Sequence, residues 1–130
     1  MDAPNYTEKP KVLLVEDNET YRKVVRNAMQ IEGFDLIEAE NGQKAQEILK
    51  TAKPQVILCD VSMPVMDGMT LLAELKKDPI LAKIPIIMLT NMQEELEASV
   101  KNGAEEALLK SSLTPHQLIE VCRKYISSMT

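Results

Sequence analysis

A chain of 130 residues, 45% of them hydrophobic and with a formal net charge of −5, has the size of one domain with a proper core. A pI near 4.9 argues against direct nucleic-acid binding, which wants a basic face. No apolar stretch approaches the roughly 20 residues of a membrane span, and the start from Met1 to Pro10 is polar where a signal peptide would be apolar, so a cytoplasmic protein without a membrane contact is expected.

Residues 1–10 read as a flexible lead-in that Pro10 closes. Lys11 to Val15 is the first strand, and Asn18 then opens a helix with Val24, Val25, Ala28, Met29 and Ile31 at helical spacing and Gly33 at its end. Phe34 to Ala39 alternates enough for a second strand near the sheet edge. Asn41-Gly42 starts a helix with Ala45, Ile48 and Leu49 inward, which stops before Pro54. Val56-Ile57-Leu58-Cys59 is an uninterrupted apolar run ending in Asp60, the pattern of a strand buried on both faces of a parallel sheet.

Asp67-Gly68 reads as a turn, and Met69 to Lys77 as a helix with Leu71, Leu72 and Leu75 buried. Ile84 to Leu89 is the fourth strand. Thr90 or Asn91 is positioned to cap a helix with Leu96, Ala98 and Val100 inside, Glu94, Glu95 and Glu97 outside, and Asn102-Gly103 at its end. A short strand, Glu106 to Leu109, delivers Lys110. Thr114-Pro115-His116-Gln117 is a capping box opening a last helix whose apolar face is Leu118, Ile119, Cys122, Tyr125 and Ile126. Cys59 and Cys122 are too few for a disulfide framework and read as packed thiols, and His116 as a solvated cap residue.

Five β/α alternations with right-handed crossovers predict an α/β fold, a doubly wound three-layer sandwich on a five-stranded parallel sheet of order 2-1-3-4-5. Ligands of such sheets bind at the carboxyl ends of the strands. There the chain carries Glu16-Asp17, Asp60, Thr90 and Lys110. Three carboxylates a few Å apart repel by roughly several kcal/mol, a penalty that a cation removes. An all-oxygen set with room for waters and a phosphate suits Mg²⁺.

With these pieces placed, residues 11 to about 127 resemble the receiver domain of two-component response regulators, flavodoxin-like in fold. The matching pieces are Glu16-Asp17, Asp60, the run Asp60-Val61-Ser62-Met63-Pro64-Val65-Met66-Asp67-Gly68, Thr90, and Gly103-Ala104-Glu105-Glu106 leading to Lys110. Residues 128–130 are then a C-terminal tail. The resemblance implies that Asp60 accepts a phosphoryl group from phosphohistidine. It further implies that Glu16, Asp17, Asp60 and the backbone carbonyl of Ser62 hold Mg²⁺, with Mn²⁺ a substitute. Lys110 and Thr90 would contact the phosphoryl oxygens. Its implied partners are a sensor histidine kinase or histidine phosphotransfer protein, and a downstream protein or fused effector domain. A phosphorylation-dependent homodimer is a further possibility. The opening Met1 favours a stand-alone protein or an N-terminal domain.

Three positions depart from the family pattern. Ala107 stands where an aromatic residue normally moves with Thr90, so a different conformational response is expected. Ser111 follows Lys110 in place of proline, leaving a trans or a strained bond open. Asn91 replaces a small residue beside the phosphoryl pocket, and apolar Met92 is expected to shield an acyl phosphate from water. A pure interaction module is the second reading, drawing on Ala107. A Mg²⁺-dependent phosphohydrolase is the third, opposed by Ser62 at the place of its second acid. A flavin site is excluded because no phosphate-binding loop follows the first strand.

Overall fold

The computed structural model describes residues 9–127, so the lead-in before residue 9 and the tail 128–130 lie outside the described residues. Its elements, in chain order, are β1 (Lys11–Val15), α1 (Glu19–Ile31), β2 (Asp35–Ala39), α2 (Gly42–Leu49) and β3 (Val56–Asp60). They continue with α3 (Gly68–Lys76), β4 (Ile86–Thr90), α4 (Glu94–Lys101), β5 (Glu106–Leu109) and α5 (Pro115–Ser127). The five strands form one parallel sheet in the order β2-β1-β3-β4-β5. This is the expected fold, with β2 at an edge and β3 at the centre.

The alternation of side chains along each strand divides the core in two. Leu13, Val15, Ile57, Cys59, Ile86 and Met88 face α2 and α3 with Ala45, Leu49, Leu71, Leu72 and Leu75. Val12, Leu14, Val56, Leu58, Ile87 and Leu89 face the other way, against Val25 and Met29 of α1 and Leu118, Ile119 and Cys122 of α5. Residues of β3 are buried throughout, which explains why its sequence is apolar without alternation.

Caps set the helix starts. Asn18, Asn41 and Asp67 each accept a hydrogen bond from a backbone N–H of the first turn, at 2.8, 2.9 and 2.8 Å respectively. Asp67 is therefore the cap of α3 rather than only a turn residue, and the helix begins one residue earlier than its apolar pattern implies. Thr114 and Gln117 bond reciprocally at the start of α5, Thr114 N–H to Oε1 at 2.9 Å and Gln117 N–H to Oγ1 at 3.1 Å, the capping box expected there.

Five expectations are corrected. Val24 and Ile31 are 47% and 82% exposed; only Val25 and Met29 of α1 are buried, because that helix rests on the sheet by a single narrow stripe. In α4 the buried residue is Ser99, not Ala98 or Val100, which flank it by about 100° on either side of the helix; Leu96 is half-buried. Glu95, expected in water, is half-buried too. Neither Thr90 nor Asn91 caps α4: the cap position is Gln93, which makes no side-chain cap bond. The fourth strand starts at Ile86 because Pro85 has no N–H to give the ladder, though its carbonyl accepts from Ile57 at 2.9 Å.

Candidate functional site

Parallel pairing fixes which strand ends meet. Val15 pairs with Cys59, Asp60 with Leu89 and Thr90 with Leu109. The residues just beyond, Glu16 and Asp17 after β1 and Lys110 after β5, therefore arrive at the same edge as Asp60. One oxygen each from Glu16, Asp17 and Asp60 lies within 4.8 Å of the others. Glu16 is fully buried, Asp60 is buried at 7% exposure and Asp17 is exposed. This is a donor set of hard oxygens open to water on one side, which fits a hydrated Mg²⁺ or Mn²⁺.

Lys110 crosses from the far side of the site. Its ammonium ion-pairs with Glu16 Oε1 and lies 3.2 Å from Asp60 Oδ2. On its other side the Tyr21 ring centroid is 4.5 Å away, a cation–π contact that steadies a partly desolvated charge. The backbone holds Glu16 in place: its N–H donates to Ala39 O at 2.9 Å, and the N–H of Asn18 donates to Oε2 at 3.1 Å. Arg22 donates to the Glu16 carbonyl at 2.8 Å.

Burial pushes the Glu16 carboxyl up to about 7, and the charge of Asp60 adds to this; Lys110 and the Asn18 amide pull the other way. Burial works against the Lys110 ammonium as well, but Glu16 and Asp60 outweigh it and hold it above the ordinary lysine range. One ammonium thus serves two buried carboxylates, and the cluster still has an excess of negative charge.

The loop after Asp60 is pinned at both ends. Gly68 N–H donates to Val61 O at 2.8 Å. A Cβ at Gly68 would stand 2.2 Å from the Asp60 carbonyl oxygen, so any side chain there forces the backbone of the strand end or the loop to shift. Met66 O accepts from Gly42 N–H at 3.2 Å and Met66 N–H donates to Pro64 O at 2.8 Å, across Val65 at φ 69°. That is a γ-turn in a conformation disfavoured for a β-branched residue. Within this loop Ser62 N–H points to Asp60 Oδ1 at 3.4 Å.

Thr90 is 2% exposed, and its hydroxyl donates to Glu95 Oε1 while accepting from Met92 N–H at 3.0 Å. Ala107 lies in β5 and packs on the α2/α3 side of the core. Among the described residues no peptide bond is cis; the Lys110–Ser111 bond is trans, in a 3₁₀ turn over Lys110–Ser112. Asn91 joins Asn18, Thr20, Tyr21, Val24, Lys110 and Ser111 around an open cavity of about 680 Å³ beside the ammonium. Met92 is 49% exposed. His116 is exposed and 3.9 Å from Glu120, and both cysteines are buried and unpaired.

The structure thus gathers Glu16, Asp17, Asp60 and Lys110, and sets Ser62 and Thr90 at their margins. Sequence reasoning missed two residues of the site. Tyr21 carries no signal beyond its place in the first turn of α1. Glu95 is one of several acids at the start of α4, and only the path of the turn after β4 selects it.

Residues 12–123 match the family described as the response regulator receiver domain. The phosphate regulon transcriptional regulatory protein PhoB of Pseudomonas aeruginosa is 34% identical over 110 residues, 83% of this chain and 48% of that protein. This chain therefore spans about half the length of that relative. The polar-differentiation response regulator DivK of Brucella anthropi is 29% identical over 116 residues, covering 88% of this chain and 94% of DivK. Among solved structures, the receiver domain of the Francisella response regulator 1452 superposes with a TM-score of 0.86 at 27% identity, over 94% of this chain and 100% of that one. The Mn²⁺-bound form of response regulator Rcp1 superposes with a TM-score of 0.74 at 28% identity, over 86% and 88% of the two chains.

Proposed function

The chain belongs to the response regulator receiver domain family, and from that premise we propose that it is a phosphoacceptor signalling domain whose acceptor is Asp60. One observation carries the proposal. At a single strand edge Asp60 has an ammonium 3.2 Å from Oδ2 and two further acids within 4.8 Å. Phosphoryl transfer requires little covalent help from a protein; it requires positioning and charge neutralisation.

A carboxylate oxygen of Asp60 attacks phosphorus as the P–N bond of a phosphohistidine breaks. The product is an acyl phosphate, and its P–O bond later breaks in hydrolysis, so no separate enzymatic activity is assigned. Lys110 neutralises an oxygen of the phosphoryl group, and Thr90 donates to another. Glu16, Asp17, Asp60 and the Ser62 carbonyl would hold Mg²⁺ or Mn²⁺, which when bound supplies the remaining neutralisation of phosphoryl charge. The Mn²⁺ in Rcp1 supports this choice of metal.

The donor is a sensor histidine kinase or a histidine phosphotransfer protein. The output passes to a downstream protein or a fused effector domain, or through a phosphorylation-dependent homodimer. The test is incubation with Mg²⁺ and acetyl phosphate followed by intact mass measurement. Gain of one phosphoryl mass, absent without Mg²⁺ and in Asp60→Asn, is the expected result. No gain from acetyl phosphate or from a cognate kinase would overturn the proposal in favour of a pure interaction module.

A further inference from the structure

Thr90 sits between the acid cluster and α4, and its hydroxyl has a single proton to give. That proton is committed to Glu95 Oε1. The same Glu95 accepts, through its backbone carbonyl, from the Ser99 hydroxyl at 2.7 Å, and Ser99 is the buried residue of α4. At its start α4 has no other side-chain tether of this kind, since its cap residue Gln93 makes no side-chain cap bond. Across β5, the methyl group of Ala107 has neither bulk nor a polar atom with which to follow a movement of Thr90.

We propose that Glu95 is a positioning residue for the phosphoacceptor site, competing with the phosphoryl group on Asp60 for the proton of the Thr90 hydroxyl and so coupling occupancy of Asp60 to the first turn of α4. The inference rests on the phosphoacceptor reading and deepens it. A proton shared between two acceptors makes two weak, bent bonds, so Thr90 must leave Glu95 to make a full bond to a phosphoryl oxygen. The incoming group carries nearly two negative charges, and its repulsion of the Glu95 carboxylate across Thr90 favours the release. Once released, the first turn of α4 loses its side-chain tie to the strand end, while the Ser99 hydroxyl still bonds the Glu95 carbonyl.

The experiment uses the whole chain with Mg²⁺ and beryllofluoride as the phosphoryl mimic, its affinity measured by calorimetry. Glu95→Ala is expected to tighten beryllofluoride binding about tenfold, the order expected when a hydrogen bond to a charged acceptor no longer has to be broken. Glu95→Gln keeps an acceptor without the charge and falls between. In a Thr90→Val background Glu95→Ala has only the small effect of the removed charge, well short of tenfold, which separates action through Thr90 from a general effect on the fold. Amide exchange over residues 92–96 rises in the wild type on adding beryllofluoride and is already high in Glu95→Ala without it. Unchanged affinity in Glu95→Ala, equal tightening in the Thr90→Val background, or exchange indifferent to beryllofluoride overturns the inference alone. A wild type that neither binds beryllofluoride nor takes a phosphoryl group from acetyl phosphate overturns the phosphoacceptor reading, and this inference with it.

Discussion

Glu16 is the residue whose surroundings conflict most with its charge. Its carboxyl, driven up to about 7 by burial, is protonated more readily in the folded chain than in the unfolded one. In the metal-free protein this group favours folding most at low pH, and that contribution is lost as pH rises from its ordinary range near 4.5 through about 7. A divalent cation binds the deprotonated form, so binding releases a proton and tightens with pH. Calorimetry in buffers of different ionisation enthalpy should show tighter Mg²⁺ binding at pH 8 than at pH 6 and proton release near pH 7. Glu16→Gln should flatten both trends. Glu38 carries the opposite sign, since its bond to Arg26 holds it below the carboxylate range; its stabilisation is lost as pH falls. That pair lies at the surface, where solvent screens it, so its contribution is small.

At the scale of elements, the junction between β3 and α3 leaves no room for a side chain at its glycine. The strand must end in Asp60 and the helix must restart at Gly68 against the Asp60 carbonyl, with the Met88 methyl 2.8 Å from where a Cβ would be. Gly68→Ala should cost about 1–3 kcal/mol in denaturant unfolding through overpacking. If Asp60 is the acceptor proposed above, the substitution should also slow phosphoryl uptake at saturating acetyl phosphate, because the displaced atom belongs to Asp60 itself. A loss of stability with unchanged uptake would show that the loop, and not the acceptor, absorbs the methyl group. Several helix ends were legible from local chemistry: the caps Asn18 and Asn41, the Thr114 capping box, and the glycines Gly33 and Gly103 at φ 84° and 112°, where a left-handed residue closes a helix. The inner face of α4 was not, since a short helix on an outer strand buries little and its periodicity carries little information.

For the molecule as a whole, the doubly wound sheet separates stability from chemistry: the core lies along the strands and the site lies beyond their ends. Leu58, fully buried in β3 and facing α1 and α5, tests this. Leu58→Ala should cost about 2–5 kcal/mol in denaturant unfolding, with Mg²⁺ affinity of the folded protein within about twofold of wild type. A much larger change in affinity would mean that the strand end moves when its core face is hollowed. None of the helices among the described residues is long and apolar enough to cross a membrane.

Strand count, sheet order and the meeting of Glu16, Asp17, Asp60 and Lys110 at one strand edge were legible in the sequence alone, because hydrophobic period, breakers and crossover handedness are local or nearly local rules. Contacts between side chains from separate turns were decided only by tertiary structure. Thr90 on Glu95, Lys110 over Tyr21 and Gly68 under the Asp60 carbonyl each depend on where a loop places its neighbour. No periodicity records that placement, since it is the sum of packing forces from the whole domain.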